Sequence, residues 1–334
     1  MNWKNGYSAG YYAYIIDPAT WRETERFDIT GGNINRTDEG LRDSADIECT
    51  AYDCGTERYI RIYLDARQGG SAVHVPLFTG LATSPSRDID GYYETSSLEC
   101  YSVLKAADDV LLERGYYVPA GAGGTQVIKD LLSCIPAPVT SEGDAPGLQT
   151  SIIAEDGETR LSMAERVLAA IGWRMRIGGD GTIELLPKPD DVSVQFDPTS
   201  RDVLEPTIKV DYDWYECPNV FRAVQEDLSA VARDDSPDSP LSTVSRRREV
   251  WAEETSCELN TGESISEYAV RRLGELQRVR LAAGYDRRYD PDILVGDLVR
   301  LRYPAQGLDG VFRVTSQKIE LGYSAKTSEE VEAV

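Results

Sequence analysis

The chain has 334 residues and a mass of 37.0 kDa, enough for a substantial core and, by length alone, for two to four domains. Lys and Arg number 35 against 57 Asp and Glu, a formal charge of -22 with a pI near 4.5, which excludes gripping nucleic acid by neutralising its phosphates. No apolar run approaches the roughly 18 to 20 residues of a membrane helix, and MNWKNGYSAG lacks the basic and apolar regions of a signal peptide, so synthesis and residence in the cytoplasm are expected.

Residue usage narrows the chemistry. The one histidine, His74, sits in the alternating stretch SAVHVPLFTG, which makes it a strand residue and leaves hydrolases without their usual base. Six cysteines (Cys49, Cys54, Cys100, Cys134, Cys217, Cys257) lie scattered with no CxxC pair, and read as buried free thiols, with neither disulfide nor zinc. The glycines of GAGGT and IGGDGT match no phosphate-binding loop. Asp190-Asp191 and Glu253-Glu254 are adjacent carboxylates, which point different ways from a strand or helix and are common in an acidic chain. No catalytic, cofactor or metal residue is assigned. The 19 tyrosines against 5 phenylalanines suit half-buried strand positions.

In chain order, YYAYII (11–16) predicts a strand ended by Asp17-Pro18, and Phe27 to Ile29 a second that stops at Gly31-Gly32. SADIECTAYD alternates, YIRIYL (59–64) places Ile60, Ile62 and Leu64 on one face, and Val73 to Gly80 and Tyr92 to Tyr101 complete about six strands. Turn signals every ten residues or so predict a meander that closes as a barrel or sandwich over 1–103. Between 104 and 190 the period changes. Thr125 is a candidate N-cap for a helix through Val127, Ile128, Leu131 and Leu132, ended by Pro136. Thr159 opens a second helix with Met163, Val167, Leu168 and Ile171 on its apolar side and Gly172 as its stop. Trp173 to Ile177 and Thr182 to Leu186 then pair as a hairpin, giving an α+β module.

From 191 to 334 strands resume at Thr207 to Tyr212, Val220 to Gln225 and Arg248 to Ala252, with RDDSPDSP (233–240) an exposed loop between two strands of one unit. Over Ser266 to Gln277, Ala269, Val270, Leu273 and Leu276 define an apolar helix side, opposite Glu267, Arg271, Arg272 and Glu275. The strands that follow are expected to supply its partner surface: Val279, Leu281 and Ala283, then Leu298 to Leu301 after a turn at Val295-Gly296-Asp297, then Val311 to Val314 after Asp309-Gly310, then Ile319 and Leu321. The tail SAKTSEEVEAV has too little apolar content for a strong element. The fold class is mainly β, two small barrel-like domains (1–103, and 191–334 with room for two subdomains) flanking the α+β insert (104–190).

Three stretches carry a resemblance in order: DITGGNINRTDEGLRDSADIECTAYD, YECPNVFRAVQ, and YAVRRLGELQRVRLAAGYDRRYDPDILVGDLVRLRY. Together they resemble tail hub proteins of long-tailed bacteriophages and related contractile injection systems. The resemblance implies a structural trimer in the virion tail tip, assembled in the host cytoplasm, its six barrels presenting pseudo-sixfold symmetry to the tail tube or distal tail protein above and threefold symmetry to a spike, fibre or tip protein below. It also implies that the tape measure protein and DNA pass through the lumen at ejection, with no cofactor and no family catalytic residue. A trimer would carry three times -22, about -66, and acids lining the lumen would keep DNA from sticking. Arg271, Arg272 and Glu275 are expected to stay free for a neighbouring subunit, with Gly296 and Asp297 as a structural turn. Two alternatives stand beside this reading. One is a cell-wall glycan hydrolase using a carboxylate pair in the insert; the other is a carbohydrate- or receptor-binding β protein with exposed tyrosines and Trp173 as stacking faces.

Overall fold

The computed structural model describes residues 1–50, 56–91, 93–189, 191–197, 199–200, 203–213, 215, 217–225, 228–255, 257, 259, 263–277, 280–306, 308–323 and 325–334. Strands hold 51% of residues and helices 15%, so the protein is mainly β, as its alternating sequence predicts. The chain forms two compact units. Unit 1 comprises Met1–Lys209, Gly284–Glu332 and Val334; unit 2 comprises Val210–Ala283 and Ala333.

Unit 1 begins with six antiparallel strands: β1 (Ser8–Asp17), β2 (Arg22–Thr37), β3 (Asp43–Thr50), β4 (Arg58–Gln68), β5 (Ser71–Asp90) and β6 (Tyr93–Ser102). Their pairings return on themselves, because β1 bonds to both β2 and β4 while β4–β5, β5–β6, β6–β3 and β3–β2 complete the circuit. Alternation gives the circuit its inside: Ile60, Ile62 and Leu64 of β4 are fully buried with Ala45, Ile47 and Cys49 of β3. Each Ile or Leu among them contributes about 1.5–3 kcal/mol by leaving water. Gly31-Gly32 does not end β2. The strand runs on through a bulge between Ile29 and Gly31, and Gly32, at φ 125°, lies where a Cβ would come within 2.7 Å of Ile47 Cα. The glycine pair therefore bends the strand. Of the six cysteines, Cys54 lies outside the described residues; Cys49, Cys100, Cys217 and Cys257 are buried as expected, and Cys134 is half-buried.

The insert follows as α1 (Lys105–Asp108), β7 (Tyr117–Val118), α2 (Gly124–Leu131), β8 (Val139–Ser141), β9 (Ile152–Ile153), α3 (Arg160–Ile171), β10 (Trp173–Ile177) and β11 (Ile183–Pro187). Thr159 caps α3 by accepting from the Ser162 N–H, and Gly172 ends it in the left-handed region at φ 68°. Thr125 is not a cap: Gly123 holds that position without a side-chain bond, and Thr125 is buried inside the first turn of α2. β10 and β11 form the expected hairpin, and β8 adds to β11 in parallel. Val167, Leu168, Met163 and Ile128 share a core with Met175 and Leu185.

After β12 (Val192–Phe196), β13 (Val203–Asp213) leads into unit 2. There β14 (Val220–Gln225), β15 (Leu228–Arg233), α4 (Thr243–Arg246), β16 (Trp251–Thr255) and α5 (Ile265–Leu276) follow. The sheet order is β15-β14-β16. α5 opens with a capping box, Ser264 and Glu267 each bonding the other's backbone N–H. Among the described residues, the helix packs on the strands that precede it instead of those that follow. Tyr268, Ala269 and Leu273 meet Phe221, Ala223, Ala232 and Cys257. Val270, expected on the apolar side, is 65% exposed, because the inward stripe is rotated to include Tyr268 instead. The strand expectation at Val279 lies outside the described residues.

The chain returns to unit 1 along β17 (Arg280–Arg288), then β18 (Leu298–Tyr303), β19 (Leu308–Glu320) and β20 (Lys326–Ala333). β19 runs straight through Asp309-Gly310, pairing with β18 and, further on, with β2; β12 lies parallel to β18. The tail is not weak structure but a strand, β20, whose inward residues are Thr327, Glu329 and Val331. Glu329 is tolerated because Arg287 ion-pairs with it and Gln317 donates to it at 2.6 Å, all three being buried.

Candidate assembly surface

Gly296 and Asp297 form the tight turn before β18. Gly296 sits at φ 86°, its N–H donating to the Val314 carbonyl at 2.8 Å, and the Val314 N–H donating back to Asp297 O at 3.0 Å. A side chain at 296 would collide with Arg174 Nη1 of β10. The turn thus does more than reverse the chain. The Asp297 carboxylate accepts from the Leu294 N–H at 3.0 Å and from Arg174 at 3.2 Å, with Arg176 at 3.9 Å, so the insert hairpin is tied to the C-terminal strands.

A second tie joins the insert to β2 and β3. Arg42, at φ 63°, donates through Nη2 to both oxygens of Glu165 on α3, at 2.6 and 2.8 Å, and through Nη1 to the Asp38 carbonyl. Asp43 is buried beside it. Burial pushes the Asp43 carboxyl up to about 6, against the pull of Arg36 and Arg42. Burial likewise raises Asp38 and Glu165 from their ordinary values, with Arg42 opposing. A raised carboxyl pKa favours the folded state most below the unfolded value near pH 4, and the benefit is lost as pH rises through about 6. Asp43→Asn should therefore flatten the stability profile between pH 4 and 6 relative to the natural protein, read by urea melts at each pH. Equal slopes in both proteins would refute the assignment.

The three charged residues of α5 are not free. Arg271 is bidentate with Glu263, at 2.7 and 3.0 Å, and reaches Glu275 at 3.0 Å. Hydrogen bonding to Glu263 raises the Arg271 guanidinium above its ordinary value. Arg272 bridges Glu254 of β16 at 3.1 Å and Glu275 at 3.0 Å, and Tyr268 Oη donates to the same Glu254 at 2.6 Å. The charges fasten α5 to its sheet because opposite partners lie within unit 2. The sequence marks Glu254 only as one of two adjacent acids, since its role depends on facing the helix from β16. Trp173 is half-buried against the insert core, whereas Tyr117, Tyr215 and Tyr323 are exposed. His74 lies in β5, its Nδ1 3.2 Å from Tyr12 Oη. No helix among the described residues is long and apolar enough to cross a membrane.

No family model matches the chain, and no curated protein does. Among solved structures, it is similar to the tail protein of Neisseria meningitidis MC58, with a TM-score of 0.68 and 14% identity over 98% of this chain and 97% of that one. It is also similar to the 43 kDa tail protein of prophage MuSo2 from Shewanella oneidensis, at TM-score 0.69 and 16% identity, covering 98% and 97%. Prophage tail protein gp18 of Listeria monocytogenes matches at 0.58 and 12%, covering 97% and 94%. The chain therefore has the fold of phage tail proteins from end to end.

Proposed function

We propose that this protein is a structural, non-enzymatic tail hub of the virion: a trimeric ring that joins the tail tube to a spike, fibre or tip protein, and through which the tape measure protein and DNA pass during ejection. The observation that carries the reading is the end-to-end likeness to tail proteins, 98% of this chain against 97% of the Neisseria protein. The strand circuit β1–β6 is read as the first barrel (1–103), the insert as a docking module (104–190), and the strands around β18–β20 as the second barrel (191–334). Two barrels per chain turn threefold symmetry into pseudo-sixfold symmetry, which suits a sixfold tube.

The outward side of α5 serves as one subunit boundary, with exposed Val270 at its centre and Arg271, Arg272 and Glu275 around it. Their intrachain pairs hold the helix rigid for that contact. Light scattering of the purified chain should give a mass of about three times 37.0 kDa, either alone or upon adding the tube protein. A protein that stays monomeric in both settings would sink the hub reading.

A further inference from the structure

Among the described residues, α5 packs on one face of the β15-β14-β16 sheet, and the other is exposed at Arg222, Val231, Trp251 and Glu253 while Val220 at its edge is buried. Register assigns the other face. Arg222 of β14 stands between Val231 of β15 and Glu253 of β16, and Val224 stands between Ser229 and Thr255. At one end the row is Arg233, Val220 and Trp251. Of the fourteen large hydrophobic side chains exposed among the described residues, six belong to unit 2, which holds under a quarter of the chain. Val231 and Trp251 are two of them, both on this face.

The face has the composition of a binding centre. Arg222 lies over the Trp251 ring at 5.5 Å while pairing with half-exposed Glu253 at 3.0 Å, and Arg248 lies over the ring of exposed Tyr215 at 5.8 Å. Aromatic rings and arginines are the side chains that dominate protein interfaces, and stacking preorganises a guanidinium for a carboxylate. The complement is present on the same chain. On the outer face of β3 and β6, Asp46 stands directly opposite Glu99, and Glu48 is exposed two residues further along β3. Asp46, Glu48 and Glu99 line a groove of about 360 Å³ together with Asn33 and Ser97. Like charges in register across a strand pair are destabilising, and a cation from outside relieves them.

We propose that the open face of the β14–β16 sheet docks onto the acidic β3–β6 groove of a second copy of this chain, Trp251 and Val231 supplying apolar area and Arg222 and Arg248 meeting Asp46, Glu48 and Glu99. The contact is head-to-tail, so that each copy offers one face and receives on the other, as a closed ring requires. This inference rests on the ring reading above and adds to the outward side of α5 a second contact between copies.

The test is the assembly mass of the full chain by sedimentation, with thermal melting as the check on folding. Val231→Glu with Trp251→Glu should leave the melting temperature unchanged and weaken assembly at least about thirty-fold, the equivalent of about 2 kcal/mol. Arg222→Glu with Arg248→Glu should weaken assembly likewise, with a lower melting temperature because position 222 then faces Glu253 across the strand pair with like charge, and Asp46→Lys with Glu99→Lys should weaken it without that cost. Combining those four substitutions in one chain should restore assembly. If the natural chain assembles and the Val231/Trp251 variant assembles equally well, the docking surface is refuted while the hub reading stands. If both charge-reversed pairs weaken assembly and their combination fails to restore it, the acidic groove is not the seat. A natural chain that never assembles removes the hub reading and this inference together.

Discussion

Arg287→Met is expected to destabilise unit 1 by about 3–5 kcal/mol, among the largest effects of any single substitution in this protein, because it strands the Glu329 carboxylate in the core. Both side chains are wholly buried. Arg287 also donates to the Arg288 carbonyl at 2.8 Å, and Gln317 bridges Glu329 and the Ile293 carbonyl, the latter at 2.9 Å. With the guanidinium gone, Glu329 keeps one amide partner and no counter-charge, and desolvation is no longer offset. Arg287→Met combined with Glu329→Leu removes both charges and should recover most of the loss, since a buried pair exchanged for apolar side chains of similar volume is often neutral or better. Urea melts of the natural chain, both single variants and the double variant give the coupling directly. Additive losses would show that the two residues do not act as a pair.

That pair also explains where the sequence was silent. β4 was legible because Ile60, Ile62 and Leu64 alternate without exception, and α3 because Thr159 and Gly172 mark both ends. β20 was not, because two of its three inward residues, Thr327 and Glu329, are polar and its hydropathy reads as solvent-facing. The partners of Glu329 lie elsewhere in the chain, 42 residues away at Arg287 and 12 at Gln317. A one-dimensional pattern reports apolar burial, and polar burial satisfied by distant strands leaves no local trace. Arg42 and Glu165 repeat the lesson across 123 residues. The glycine pair in β2 misled for a different reason: Gly31-Gly32 carries a turn signal, yet a bulged strand makes the same demand on the backbone. For the assembly surface, Gly296 and Asp297 were legible as a turn. Their tie to Arg174 and Arg176 was not, since nothing local says which hairpin the turn will meet.

Leu273→Asp should unfold unit 2, and the neighbouring substitution Val270→Asp should not. Both positions sit on one expected apolar side of α5, but Leu273 is buried against Phe221, Ala223 and Ala232 while Val270 is 65% exposed. Removing the Leu273 side chain alone costs about 2–5 kcal/mol through lost burial and the cavity left behind. A carboxylate in the same place adds the cost of a charge with no buried cation to meet it, as Arg271 and Arg272 are already held by Glu263, Glu254 and Glu275. The sum is comparable with the whole stability of a small domain. Val270→Asp buries nothing and should change stability by under about 0.5 kcal/mol. Hydrogen exchange reads both outcomes. In Leu273→Asp the amides of β14, β15 and α5 should lose protection while those of β3, β4 and β5 keep theirs, because unit 1 has its own core. Loss of protection throughout the chain would mean that the two units fold as one. Loss of protection in Val270→Asp would mean that the outward side of α5 has been misplaced.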